Sequence, residues 1–341
     1  MKFIHVGVGG FGQQWVRTLK ASKAAEVVAM VDVSEKSLEA AREIGGYSKN
    51  ICYSNLKEAM AHVKADAVVS TTPPAFHKKD VITSLKSGLH VISEKPMSDT
   101  LPACLEMVRT AQATGKTYVV SQNYRTNPGM WTLSKLIRSG KLGQVGQIKI
   151  DFYMGIDFGG GFRHEMPYPV IVDMAIHHFD LIRFITGMDA IDVQGVSWNP
   201  LWSNYKGDCS SNTVFTMSNN AKVLYTASWC AKGSFCDWNG NWQIECEKGT
   251  VTYSHGQIKL HRTKGLYHVQ KVEDVKAVGP KRSGQDYVLE EFMSAVKTGS
   301  KSMTDCLDNI RSVSMVLSAV AALKSGKKVK VLDPRIIKLL E

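Results

Sequence analysis

The chain lacks long apolar stretches: no uninterrupted run reaches the 18 or so residues needed to span a bilayer, so no membrane association is expected. No secretory signal is expected either. MKFIHVGVGGFG carries one lysine and a short apolar run that leads straight into glycines, with no small-residue cleavage site, and reads as a strand. Cysteine is sparse and unpaired in sequence: the seven residues at 52, 104, 209, 230, 236, 246 and 306 form no CxxC, which disfavours a disulfide framework or a zinc site and fits reduced thiols in the cytoplasm. Repeats and low-complexity segments are absent. The net charge of +11 comes from dispersed lysines, and the densest cluster, KSGKKVK at 324–330, is short. No basic stripe for nucleic acid is present; the excess charge serves an anionic cofactor or substrate, or simply a solvated surface.

What is there is core-forming material, 341 residues with 44% hydrophobic content, enough for two domains. The first part alternates strand and helix: KFIHVGV, a helix over 11–20, EVVAMVD, a helix through SEKSLEAAREIGG, ADAVVSTT, the helix FHKKDVITSLKSG, LHVISE, the helix SDTLPACLEMVRTAQATG, and TYVVSQN. Such βαβ repetition predicts a parallel sheet. After about residue 122 a helix over 128–139, the strand QVGQIKIDFYMG and a helix through VIVDMAIHHFDLIRFITG are followed by Val-, Thr-, Tyr- and Trp-rich stretches over 191–260, which read as an antiparallel sheet. Helices over 285–297 and 305–324 close the chain. The expected architecture is α/β, with a Rossmann-type domain over 1–122 and an α/β domain with a large, mainly antiparallel open sheet over 123–341.

GVGGFG at 7–12 is G-x-G-x-x-G directly after a strand and at the start of a helix. In that context Gly7 allows the tight turn, Gly9 lets backbone approach a pyrophosphate and Gly12 permits close helix packing, with Gly10 and Phe11 completing the phosphate-facing turn. Asp32 ends the second strand, where a carboxylate accepts hydrogen bonds from the adenosine ribose and repels a 2′-phosphate. No arginine follows it closely, so NAD is expected over NADP, with Lys36 leaving the second open. Thr72, Pro73 and His77 of STTPPAFH, and Glu94 and Lys95 of SEKP, follow the next strands, and ligands bind beyond the carboxyl ends of strands in such sheets. These residues are therefore candidates for the cofactor.

DMAIHHFD at 173–180 places two histidines between two aspartates. At about 3.6 residues per turn, Asp173, His177 and Asp180 share a helical stripe, while His178 projects about 100° aside. A carboxylate one turn from an imidazole can orient it and stabilise its protonated form, as a general base requires; the same residues could bind a metal or make a structural contact. The metal geometry is poor because His178 leaves the stripe, so no metal is expected.

With GVGGFG, Asp32, TTPPAFH, SEKP, NYR and DMAIHHFD in this order, nearly the whole chain resembles the glucose-fructose oxidoreductase, inositol dehydrogenase and MocA (Gfo/Idh/MocA) family. The resemblance implies a Rossmann domain followed by an open-sheet domain, and NAD(P)-dependent oxidation or reduction of sugars, polyols and related compounds. It implies that Lys95 lies near the nicotinamide and the reacting hydroxyl, that Asp173 and His177 are the acid and imidazole of the site, and that Arg125 contacts substrate. Ala175 stands where the family commonly has glycine, and His178 is an additional histidine. In this reading His177, an imidazole with an ordinary pKa near 6.5, or Lys95 removes the hydroxyl proton, while Asp173 orients His177 or binds a second hydroxyl. Asp180 is left to a structural hydrogen bond.

Two further residues enter as substrate candidates. Arg163, in GGGFRHEMPYP, could clamp a polar substrate, and Trp238, in CDWNGNW, could stack on a sugar ring, most other tryptophans being assigned to sheet core or a subunit contact. The expected partner is a small sugar or polyol, and the expected assembly a homodimer or homotetramer through the C-terminal sheet. Two rival functions remain: an enzyme that retains NAD and uses transient oxidation for glycoside elimination, and a non-catalytic dinucleotide sensor.

Overall fold

A computed structural model describes residues 1–266 and 268–341. In chain order the elements are β1 (Lys2–Val6), α1 (Gly12–Ala21), β2 (Glu26–Val31), α2 (Glu35–Gly45), β3 (Cys52–Tyr53), α3 (Leu56–His62), β4 (Ala67–Ser70), α4 (Pro74–Lys86), β5 (His90–Ser93), α5 (Leu101–Thr114) and β6 (Tyr118–Val120). There follow α6 (Pro128–Arg138), β7 (Val145–Tyr153), α7 (Phe162–Glu165), α8 (Ala175–Thr186), β8 (Ala190–Trp198), β9 (Ser210–Met217), β10 (Lys222–Ser228), β11 (Asn241–Cys246), β12 (Gly249–Ser254), β13 (Gln257–Lys264) and β14 (His268–Val275). The chain ends with α9 (Gly284–Thr298), α10 (Cys306–Ser325), β15 (Val329–Lys330) and α11 (Pro334–Leu340). Two compact units result: Met1–Asn123 with Arg282–Ile310 and Lys338–Glu341, and Tyr124–Lys281 with Arg311–Ile337.

The first unit holds a six-stranded sheet in the order β3-β2-β1-β4-β5-β6. Every pair in it is parallel. Strand side chains alternate between faces, so Phe3 joins Trp15, Leu19, Ile92 and Val119 in one cluster while Ile4 joins Val31, Leu56 and Val68 in another. Helices cover both faces, which is why β4 is buried along its whole length. The sequence reading omitted β3 and α3. A division at 122/123 also leaves out a return of the chain: Val288, Leu289 and Phe292 of α9 pack into the Phe3–Trp15 cluster.

The second unit is built on a nine-stranded sheet ordered β14-β13-β12-β11-β7-β10-β9-β8-β15. Its pairs are antiparallel except β7 with β10, so the sheet is mainly antiparallel as expected. α8 lies on one face, with Phe179 edge-on to Phe215 and Tyr225 at ring-centroid distances of 4.8 and 5.0 Å. Gly187, at φ +74°, closes α8 in the left-handed conformation that costs an L side chain most.

The expected continuous helix over 170–186 needs correction. Val170–Met174 forms one turn of π-helix, in which the Ala175 N–H donates to the Val170 carbonyl five residues back, and only then does α8 begin. The wide turn rotates Asp173 relative to the following α-helical residues, so a stripe drawn at uniform α-helical spacing does not hold across it. Among the described residues α10 is, by length and composition, long and apolar enough to cross a membrane, with 61% of that stretch buried inside the protein. Asp308 and Arg311 interrupt it, so a search for unbroken apolar residues passes over it.

Candidate active site

In the first unit the expected cofactor residues follow the carboxyl ends of parallel strands. Gly7, at φ +84°, turns the chain out of β1; its N–H donates to the Val31 carbonyl at 2.8 Å, and its carbonyl accepts from the Thr71 hydroxyl. A Cβ on Gly12 would collide with the Gly7 carbonyl, so only glycine lets α1 start this close to the strand. Gly10, at φ +47°, has open space around it, and Phe11 is exposed beside it. Asp32 spans the turn from the other side, accepting from Gly9 N–H at 3.2 Å and from Ser34 N–H at 2.9 Å. A glycine turn that leaves room over a helix N-terminus, with a carboxylate beside it, fits a pyrophosphate and a ribose.

The remaining candidates divide. The Thr72 hydroxyl donates to Asp80 at 2.8 Å, Pro73 is exposed at the head of α4, and Lys95 is partly buried after β5. Glu94 and His77 require correction as cofactor ligands. The Glu94 carboxylate is buried, accepts from Trp15 Nε1 at 2.7 Å and from the Lys95 N–H at 3.1 Å, and is pushed above the usual carboxylate range by that burial. His77 is 0% exposed, and its Nδ1 lies 3.1 and 3.2 Å from the carbonyls of Pro96 and Met97. Both side chains instead hold the segment that carries Lys95: one ties it to α1, the other to α4.

In the second unit three expected residues lie among polar and aromatic neighbours. Arg163 Nε donates to Asp173 Oδ2 at 2.6 Å, with its guanidinium 4.8 and 4.7 Å from the ring centroids of Phe158 and Phe162. His177, on the first turn of α8, stacks on Tyr124 with centroids 4.0 Å apart and planes 14° from parallel. Burial, with the negative charges of Asp173 and Asp237, raises the Tyr124 hydroxyl well above its ordinary range. It therefore stays protonated and available as a donor. Asp237 accepts from the Tyr253 hydroxyl at 2.6 Å and from Asn239 N–H at 2.9 Å. Tyr124 and Asp237 were missed in the sequence; the one signal for Tyr124 was its place in NYR.

Arg125 is corrected as a substrate ligand. It is buried, and its Nε and Nη2 each donate to one oxygen of Asp180 at 2.6 Å. Ser312 adds a hydroxyl donor to Asp180 at 2.7 Å, so Asp180 has the structural role expected of it. His178 is also structural: Nδ1 lies 2.8 Å from the Tyr225 hydroxyl, Nε2 lies 3.0 Å from the Trp238 carbonyl, and burial lowers its pKa to about 4. The Trp238 indole is 44% exposed in the loop between β10 and β11, while Trp229 and Trp242 are buried. Among the described residues no group of three His, Cys, Asp or Glu side chains is placed to hold a metal ion.

Comparison with known proteins follows the same division. One family model, described as an oxidoreductase family with an NAD-binding Rossmann fold, matches residues 1–122, and a second, the GFO/IDH/MocA C-terminal domain, matches residues 130–252. An uncharacterized protein of Sinorhizobium fredii is 28% identical over 343 residues, 97% of this chain and 95% of its own. Inositol 2-dehydrogenase 1 of Paenarthrobacter aurescens is 26% identical over 330 residues, 96% and 94% of the two chains. Among solved structures, an oxidoreductase from Agrobacterium radiobacter in complex with NAD+, L-tartaric acid and magnesium superposes with a TM-score of 0.87 at 20% identity, covering 97% of this chain and 98% of that one.

Proposed function

Because the chain belongs to the Gfo/Idh/MocA family of NAD-binding oxidoreductases, we propose that its substrate is a polyol or sugar of the inositol kind, oxidised at a secondary hydroxyl. Bound NAD supplies the hydride acceptor at the nicotinamide C4. The chain's own part begins at the glycine turn, where Gly9, Gly10 and the start of α1 hold the pyrophosphate and Asp32 the ribose hydroxyls. The Asp32 carboxylate disfavours a 2′-phosphate by charge.

The observation that carries the substrate reading is the placement of His177, Tyr124 and Asp173. A hydroxyl being oxidised must lose a proton, and an imidazole is the side chain suited to take it near neutral pH. The Tyr124 ring fixes the plane of His177, and its hydroxyl remains a donor. Asp173 and Arg163 offer an acceptor and a donor fork, the pair needed to recognise neighbouring hydroxyls on one ring. On the family resemblance Lys95 is assigned to the reacting oxygen, where an ammonium stabilises developing alkoxide charge.

The test is NADH formation over a panel of inositols, aldoses, glycosides and anhydrosugars, with products identified by mass spectrometry. Stoichiometric NADH with a keto product from an inositol or sugar is expected. Glycoside cleavage without net NADH would replace simple dehydrogenation with transient oxidation, and NAD binding without turnover of any compound would favour the sensor.

A further inference from the structure

Cys209 and Cys230 are 21 positions apart in sequence, yet their Sγ atoms lie 2.9 Å apart, each cysteine being a free thiol. Local pairing brings them together. Ser210 opposes Ser228 at the open end of the β9–β10 hairpin, and the Trp229 N–H donates to the Cys209 carbonyl at 3.0 Å, so the ladder runs one residue past both strands. Hydroxyl and amide groups surround the sulfurs: Ser203 Oγ and Asn199 Oδ1 each lie 3.2 Å from Cys209 Sγ, and Ser228 Oγ lies 3.4 Å from Cys230 Sγ. The two thiols differ in access. Cys209 is buried, and Cys230 is partly exposed, lining a groove with Trp198, Trp202, Lys232 and Phe235.

We propose that Cys209 and Cys230 are a reversible dithiol–disulfide couple, oxidised by peroxide, that staples the loop over 199–209 to the end of β10. The inference is independent of the substrate reading. Cys230, the accessible thiol, attacks one peroxide oxygen as its thiolate; the O–O bond breaks, hydroxide leaves, and a sulfenic acid forms on Cys230. The Cys209 sulfur then attacks the Cys230 sulfur, the S–O bond breaks, and the departing hydroxide takes the Cys209 proton as water. In sum two thiols lose two hydrogens and one peroxide becomes two waters. A small-molecule dithiol reverses the change by exchange. Burial, with the neighbouring Cys230 sulfur, pushes the Cys209 thiol up, so Cys209 is not the first target; its part as resolving thiol rests on its contact with Cys230. A disulfide bond of about 2.05 Å requires only a small further approach of the sulfurs.

The staple bears on a functional segment of the same unit. Tyr205, in the loop, stacks on His164 with centroids 4.7 Å apart and donates its hydroxyl to the Ile156 carbonyl at 2.7 Å. Lys206 N–H donates to the His164 carbonyl at 2.9 Å, and Asp208 N–H to the Pro167 carbonyl at 2.8 Å. The loop thus buttresses the segment that presents Arg163 to Asp173.

The full chain, reduced and desalted, would be treated with hydrogen peroxide and analysed by intact mass, non-reducing peptide mapping and hydrogen exchange. The expected result is loss of two hydrogens per chain, a peptide cross-linked between 209 and 230, its reversal by dithiothreitol, and slower exchange over 199–209. Cys209→Ser should leave a sulfenic acid on Cys230 that dimedone traps, whereas Cys230→Ser should leave Cys209 unlabelled. Unchanged thiols, a link between other cysteines or between chains, or sulfinic acid as the sole product on the unaltered protein would overturn the couple. A 209–230 link with unaltered exchange over 199–209 would overturn the staple.

Discussion

Tyr124 lies face to face with His177, centroids 4.0 Å apart and planes 14° from parallel. The contact fixes the imidazole from a residue on another element, so part of the site's order comes from outside α8. Tyr124→Phe keeps the ring and should retain most activity, the remainder reporting the hydroxyl. Tyr124→Ala removes the platform and should lower kcat/KM by about two- to tenfold, the range that an aromatic pair supplies. Equal losses in both variants would assign the effect to the hydroxyl and leave the stacking without a kinetic role.

The proposed function gives the adjacent histidines different roles. His177→Ala should lower kcat by about 10² to 10⁴ and abolish the acid limb of the kcat/KM profile for alcohol oxidation, because only the unprotonated base accepts the hydroxyl proton. His178→Ala should keep that limb, since both ring nitrogens of His178 are engaged by Tyr225 and the Trp238 carbonyl. Profiles of both variants, compared after circular dichroism has shown folding, decide the matter; loss of the limb in the His178 variant alone would move the base by one residue.

Arg125 is expected to matter for stability more than for substrate. Arg125→Met leaves Asp180, 1% exposed in its side chain, as an unpaired buried charge. Removing one member of such a pair typically costs about 3 to 5 kcal/mol. Urea denaturation should show this loss, and Arg125→Met with Asp180→Leu should recover part of it. A stable single variant with a selectively raised KM would return Arg125 to the substrate.

The cofactor end was legible because its signal is local: six residues of GVGGFG, with Asp32 one strand later, specify turn, helix start and carboxylate together. DMAIHHFD was legible as the start of a helix from its apolar spacing. The π turn was not, because over the five residues Val170–Met174 an apolar pattern fits either helical period. β3 has two residues and α3 seven, too few for periodicity to register. The pairing of Arg125 with Asp180 joins residues 55 apart in sequence, and the sulfur contact joins residues 21 apart; both follow from tertiary packing. An arginine or a cysteine read alone carries no sign of either. The burial of His77 and Glu94 was not legible, since sequence gives the end of a strand but not which side chains turn inward.

The last prediction concerns how His178 makes stability depend on pH. The Trp238 carbonyl can only accept, so Nε2 carries the proton and Nδ1 accepts from Tyr225, whose hydroxyl burial keeps protonated. A second proton on Nδ1 would face that hydroxyl's own proton in a buried site, and burial accordingly lowers the His178 pKa from 6.5 to about 4. Between those values the unfolded chain binds a proton that the folded chain excludes. Stability from this residue is therefore intact above about pH 6.5 and falls as pH drops toward about 4. His178→Gln keeps an amide donor for the carbonyl and an oxygen acceptor for Tyr225 without a titrating group. It should lower Tm throughout through imperfect packing, yet flatten the fall in Tm over that acid window relative to the unaltered protein. Tm measured across the window by circular dichroism checks the slope; parallel curves for the two proteins would place the acid sensitivity elsewhere, with His5, whose pKa burial lowers to about 3, the next residue to replace.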